Sequence, residues 1–317
     1  MTRSSARFLA YDLRPAKQAE RLMLVEYLRC AAECGLKLGD YRYVGMGGNR
    51  FYDFLLLHRF AGVRSMISLE HDDEMFLRAR FNKPFEFIEV KQETVADFLA
   101  SDNYEEPSIV WLDYDGGLSR DMLTDVETLG VVAQPGSFFF VTALAEYPRF
   151  LQKINDEQRL NWFREELGDV AQGLAQDDMQ ISRSALAIQK CIRTALESAF
   201  AFRGDGKLSL HFAVEYSDST RMVTIGGFFG SEEMGDEVSR RVRTNIPALA
   251  DLGDVCFRLK SLNITDRERQ LFDIAVTAND KRKREYRKLI ELGFTERDLQ
   301  NYASIFRFTP RYVEAII

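Results

Sequence analysis

The feature that most constrains this chain is the short spacing between its last two apolar segments. Residues 208–216 and 221–229 are separated only by Ser217, Asp218, Ser219 and Thr220. A parallel crossover needs about a dozen residues, so these two segments can pair only as an antiparallel hairpin. Upstream the rhythm is different. Apolar strand candidates at 40–44, 63–69, 85–90, 108–113 and 137–142 alternate with helical patterning at 51–60, 74–81, 94–99 and 120–129, and a further helix at 16–35 precedes them and stops at Gly35. Strands that return through helices pair in parallel and are covered on both faces. The expected fold is α/β: a doubly wound, mostly parallel seven-stranded sheet ending in an antiparallel hairpin. An ordinary dinucleotide-binding fold would instead finish with a sixth parallel strand.

At 317 residues the chain can hold one large domain or two modest ones. Residues 1–230 read as a Rossmann-type domain. Within it, 150–200 is helical with no strand candidate, and topology suggests a lid or substrate wall over the site. Residues 231–317 read as a charged, helical appendage, where Thr265 and Thr295 each precede an acid by three positions, as helix-capping residues do. A homo-oligomeric contact or a protein partner is expected to use this appendage.

No apolar run approaches the roughly 18 to 20 residues needed to span a bilayer, and the N-terminus lacks the apolar core of a secretory signal. A cytoplasmic location with no membrane partner is expected. The net charge of -7 argues against a protein wrapped in duplex nucleic acid. The basic run 281–288 reads as a solvated helix face or, alternatively, as a local phosphate contact. Cys30, Cys34, Cys191 and Cys256 are too scattered for a disulfide framework or a zinc knuckle, and no metal is expected.

Three points along the sheet carry chemistry. The turn Gly45-Met46-Gly47-Gly48 lies between the first strand and its helix, where missing side chains permit a sharp bend and close approach of a ligand to the backbone. Glu70 ends the second strand, where an acid can accept hydrogen bonds from ribose hydroxyls, with Asp72 as an alternative. Gln92, with Glu93, follows the third strand within reach of an adenine amino group. The fourth strand ends in Asp113-Tyr114-Asp115-Gly116-Gly117. There Asp113 can contact the amino group of a bound cofactor or an acceptor atom, Tyr114 can stack on a planar substrate, and Asp115 can act as a general base or bind a cation. An Asx-type turn capping the next helix is the competing reading. Arg14 and Lys17 are weaker candidates that could fold over the site and bind a carboxylate. His58 and His71 lack the partners a catalytic histidine needs.

Taken in order, Tyr43 to Gly48, Glu70, Leu112 to Gly116 and the hairpin at 208–229 resemble the class I S-adenosylmethionine-dependent methyltransferases. A bacterial O-methyltransferase group is especially similar. Its members share the Leu-Arg-Pro-Ala-Lys segment found here at Leu13 to Lys17, the Asp53-Phe54 pair and the His58-Arg59 pair. The likeness covers about 11–145 well and the rest loosely. It implies S-adenosylmethionine seated across Gly45, Gly47, Glu70 and Asp113 but implies no acceptor. The first functional reading is an enzyme that transfers a methyl group to an oxygen or nitrogen of a small molecule or of an RNA or DNA end. The proline-rich motif of amino-methylating DNA enzymes is absent from 113–116, as is the prolyl-cysteine of cytosine C5 enzymes. The other reading is a catalytically silent module of the same fold that binds a partner or senses a nucleotide-like ligand.

Overall fold

The computed structural model describes residues 14–101, 105–250, 256–277 and 284–310. Five parallel strands form the heart of the molecule: β1 (Arg42–Gly45), β2 (Ser65–Leu69), β3 (Ile88–Lys91), β4 (Ser108–Gly117) and β5 (Ser137–Leu144). The hairpin follows as β6 (Lys207–Ser217) and β7 (Arg221–Gly230), with β7 antiparallel to both β5 and β6. A three-residue strand, β8 (Phe257–Leu259), then pairs in parallel with β6, so the order is β3-β2-β1-β4-β5-β7-β6-β8. The sheet therefore has one strand more than the seven expected. β8 escapes notice in the sequence because three residues are too few to display a period of two.

Helices connect and cover the sheet: α1 (Pro15–Glu33), α2 (Tyr52–Ala61), α3 (Asp73–Asn82), α4 (Val95–Ser101) and α5 (Arg120–Val132). α1 begins with a proline at its first position, where the missing N–H costs nothing. The N–H groups of Ala16 and Lys17 both donate to the carboxylate of Asp218, 2.9 Å each, so the tip of the distant hairpin caps this helix. α1 buries Met23, Tyr27 and Leu28 against one sheet face, where Phe138 and Phe140 meet the Tyr27 ring edge-on.

Residues 150–200 supply α6 (Asp156–Leu167) and α7 (Ser184–Phe200), joined by short 3-10 turns. They pack beside α5, and Phe163, Ile188 and Ile192 share a core with Met122 and Val126. Arg159, almost fully buried, ties this region together by donating to the backbone carbonyls of Met179, Leu151 and Ile154 and by pairing with Asp156. Beyond β7, α8 (Glu232–Asn245) joins the main core through Val238 and Val242. The helices α9 (Asp266–Thr277), α10 (Arg284–Glu291) and α11 (Glu296–Ile305) enclose a smaller core of Phe272, Leu289, Leu299 and Tyr302. Both expected caps are present, since Thr265 accepts from the Glu268 N–H and Thr295 forms a reciprocal capping box with Asp298. Of the basic run at 281–288, residues 281–283 lie outside the described residues, and the remainder falls in α10. No helix among the described residues is long and apolar enough to cross a membrane.

Candidate active site

β1 and β4 are neighbours, and the chain leaves β1 toward β2 on one side while β4 leads to β5 on the other. This is the reversal point at which open α/β sheets hold ligands beyond the carboxyl ends of their strands. A cavity of about 500 Å³ lies there. Its floor is the turn Met46 to Arg50, and Glu70 and His71 after β2, Glu93 to Ala96 before and within α4, and Asp113 to Asp115 of β4 form its rim.

The glycine turn is shaped by two separate requirements. Gly48 has φ +51°, a backbone region that glycine enters without strain. At Gly47 the limit is space, because an added Cβ would stand 2.7 Å from Phe51 Cδ1 and 2.8 Å from Ser68 Oγ. Gly47 N–H donates to that same Oγ at 3.0 Å, which ties the turn to β2. Phe51, at the start of α2, also has a positive φ of 53°, unusual for a side chain with a Cβ. Its fully buried ring, packed on Phe54, holds that conformation. Gly45 is buried at the end of β1 and does not line the cavity, whereas Met46, Gly47 and Gly48 do.

Glu70 follows β2 directly, and its backbone N–H continues the sheet by donating to Lys91 O. Its carboxyl is largely buried, which raises its pKa, and Oε1 accepts a 3.3 Å hydrogen bond from the Asp72 N–H. Asp72 caps α3 by accepting from the Met75 N–H, so the alternative acid serves a helix end and is absent from the cavity wall. Gln92 is also absent from that wall. Its amide donates to Asp73 at 2.6 Å on the exposed surface, while the adjacent Glu93 and Thr94 face the cavity.

β4 continues in extended form to Gly117, with a register irregularity after Asp113, and Ser119 caps α5. The capping role therefore falls to Ser119. Asp113, Tyr114 and Asp115 all line the cavity. The Tyr114 hydroxyl donates to Asp125 Oδ2 at 2.6 Å, and burial together with that carboxylate raises the phenol pKa far above its usual value. Asp125, on α5, has its own carboxyl raised by burial. Asp115 is exposed at the rim.

Sequence reasoning did not find the polar group beneath Asp113. Lys17 Nζ, wholly buried, donates to Asp113 Oδ1 at 2.9 Å and lies 3.3 Å from Glu20 Oε2. It also sits above the Trp111 ring, 4.5 Å from the centroid. Burial would depress an ammonium pKa, but Asp113 and then Glu20 reverse that effect and raise it. One helical turn on, Arg21 Nε donates to Asp53 Oδ1 at 2.6 Å, and both residues line the cavity. Glu20 accepts from Thr224 Oγ1, which meets Thr142 Oγ1, which in turn accepts from Trp111 Nε1. Lys17, Glu20 and Arg21 stand at i, i+3 and i+4, a spacing that places charged groups on one helical stripe. That spacing was the available signal. Arg14 and Lys17 were expected to meet a carboxylate of cofactor or substrate, yet Lys17 meets one from the protein itself.

None of the described residues in 150–200 lines the cavity. His58 donates to or accepts from nothing there, since its Nδ1 lies 2.9 Å from Val63 O, at the far end of α2. His71 lines the rim with its side chain exposed.

The strand order, the glycine turn at the reversal point and the acids on successive strand ends together define a methyltransferase-type α/β protein. The model of the family described as "Putative O-methyltransferase" matches residues 9–317, and the chain belongs to that family. The match extends over the C-terminal helices, well past residues 11–145, where the sequence motifs of the resemblance lie. Among solved structures, an O-methyltransferase from Bacillus cereus in complex with SAH is 17% identical, over 70% of this chain and 85% of that one, with a TM-score of 0.39. The plantazolicin methyltransferase BpumL in complex with SAH is 8% identical over 70% and 88%, with a TM-score of 0.42. An RNA methyltransferase from Salinibacter ruber in complex with S-adenosyl-L-homocysteine is 18% identical over 37% and 73%, with a TM-score of 0.28. No curated protein matches the sequence.

Proposed function

We propose that this chain is an S-adenosylmethionine-dependent methyltransferase that binds its cofactor in the cavity at the ends of β1, β2 and β4 and transfers the methyl group to an oxygen or nitrogen of an acceptor. The observation that carries this reading is the surplus of hydrogen-bond acceptors in the cavity. Asn49 Oδ1 and Glu93 Oε2 are buried there with no hydrogen-bond partner among the described residues, and Glu70 and Asp113 add carboxylates to the same cavity. Such a wall calls for a ligand rich in N–H and O–H donors. Ribose hydroxyls, an adenine amino group and an ammonium meet that demand, and Met46, Leu69, Val95 and Ala96 offer apolar surface for a planar base.

In this reading Glu70 accepts from the ribose hydroxyls, the turn at Met46 to Gly48 lies along the amino-acid portion, and Asp113 accepts from the ammonium. The bound cofactor supplies an electrophilic methyl group. The protein's remaining task is to align the acceptor with it, because in-line placement accounts for much of the rate of such a transfer. Asp115, exposed at the rim, receives the proton that a hydroxyl or protonated amine gives up, and Tyr114, held by Asp125, forms the wall beside it.

The test is transfer of a radiolabelled methyl group from S-adenosylmethionine to a cell lysate fractionated into small molecules, RNA, DNA and protein. Label concentrated in one fraction, and lost with Asp115→Asn, supports the reading and names the acceptor class. Cofactor binding without label in any fraction favours the catalytically silent module.

A further inference from the structure

Helix α1 precedes the first strand of the sheet, yet it sends two buried cations to the cavity's edge. Lys17 and Arg21 are one turn apart and each holds a carboxylate that lines the cavity, Asp113 at 2.9 Å and Asp53 at 2.6 Å. Side chains at i and i+4 share a helix face, so one rigid element grips the end of β4 and the start of α2 together.

We propose that Lys17 is a positioning residue of the methyl-transfer site, fixing the Asp113 carboxylate toward the cavity so that it can receive the cationic end of the bound cofactor. The proposal rests on the cofactor reading above. Its support is the cost of the arrangement. An ammonium with 2% exposure, placed over Trp111 and Tyr216, would be replaced by a methionine in a core that served packing alone, since buried ion pairs add little net stability over apolar residues of the same volume. Asp113 needs such an anchor. It is the last residue of β4 in regular register with β5, pairing with Thr142, before the ladder slips on the way to Gly117. Without Lys17, Asp113 Oδ1 would lose this hydrogen bond and keep Glu20, a like charge, as a neighbour, while the nearby Arg21 is already held by Asp53. With Lys17, Oδ1 is directed inward and the carboxylate keeps a fixed orientation.

Because Lys17→Met alone would strand Glu20 and Asp113 as buried neighbouring acids, the test uses Lys17→Met/Glu20→Gln, with Asp113→Asn and the triple variant alongside. Binding of S-adenosylhomocysteine is measured by calorimetry from about pH 6 to pH 8.5, on samples whose near-UV circular dichroism matches the wild type. Wild-type binding, weakened by about tenfold or more in Lys17→Met/Glu20→Gln, with no further loss when Asp113→Asn is added, is the expected pattern, because positioner and positioned group act as a unit. Affinity and pH profile indistinguishable from wild type in the Lys17→Met/Glu20→Gln protein, or losses that simply add, would overturn the proposal while leaving the cofactor reading intact. Failure of the wild type to bind would overturn both.

Discussion

Gly47 and Ser68 join the first two strands at the point where the cavity begins: the glycine N–H donates to the serine hydroxyl at 3.0 Å, and the serine is fully buried. The bond leaves no room for a side chain on the glycine, since a Cβ would press on Ser68 Oγ and on the Phe51 ring. Phe51 cannot retreat, being itself fully buried with a positive φ. Gly47→Ala is therefore expected to cost about 1–3 kcal/mol of stability, read by urea denaturation, as overpacking generally does. Ser68→Ala should cost less, about 1 kcal/mol, because it removes a hydrogen bond without forcing atoms together.

The carboxyl of Glu20 is pushed up to about 7 by burial, against an ordinary value of 4.5. A folded-state pKa above the unfolded one means that folding favours the protonated form. The stabilising contribution is complete below pH 4.5 and is lost as the pH rises through about 7. Glu20→Gln retains an acceptor for Thr224 and abolishes this titration. Thermal melts between about pH 4.5 and pH 8 should show a loss of stability in the wild type that is much flatter in the variant. Parallel profiles would remove Glu20 from the account of pH dependence.

Arg159 is buried among backbone carbonyls of the segment around α6, and these lose their donors together if the guanidinium is removed. Arg159→Met is expected to destabilise the protein by about 3 kcal/mol or more. Because none of the described residues in 150–200 lines the cavity, affinity for S-adenosylhomocysteine should hardly change at temperatures where the variant is folded. A large loss of affinity in the folded variant would mean that this segment reaches the ligand.

The architecture was legible in the sequence because its signals are local. Alternating apolar strands and helices, Gly62 closing α2 in a left-handed conformation, and four residues between β6 and β7 each dictate one geometric outcome. Much of the lining of the cavity was legible for the same reason, since Met46 to Gly48 follow β1, Glu70 follows β2 and Asp113 to Asp115 lie in the second half of β4. Long-range polar pairing was not. Lys17 meets Asp113 across 96 positions and Arg21 meets Asp53 across 32, and nothing local to either residue specifies its partner. Two polar residues near strand ends also proved to have local duties, Asp72 as the cap of α3 and Gln92 as a donor to Asp73. β8 was missed because three residues are too short a run to stand out, and the strand is fixed by its pairing with β6.

The central claim is that the acid after β2 receives the ribose of a bound adenosyl cofactor, and calorimetric titration of S-adenosylhomocysteine into the wild type and into Glu70→Ala tests it most directly. The account predicts saturable one-to-one binding by the wild type and an affinity lower by about tenfold or more in Glu70→Ala, the loss expected when hydrogen bonds to a charged acceptor are removed. Absence of binding by the wild type, or equal affinities in the two proteins, would contradict it.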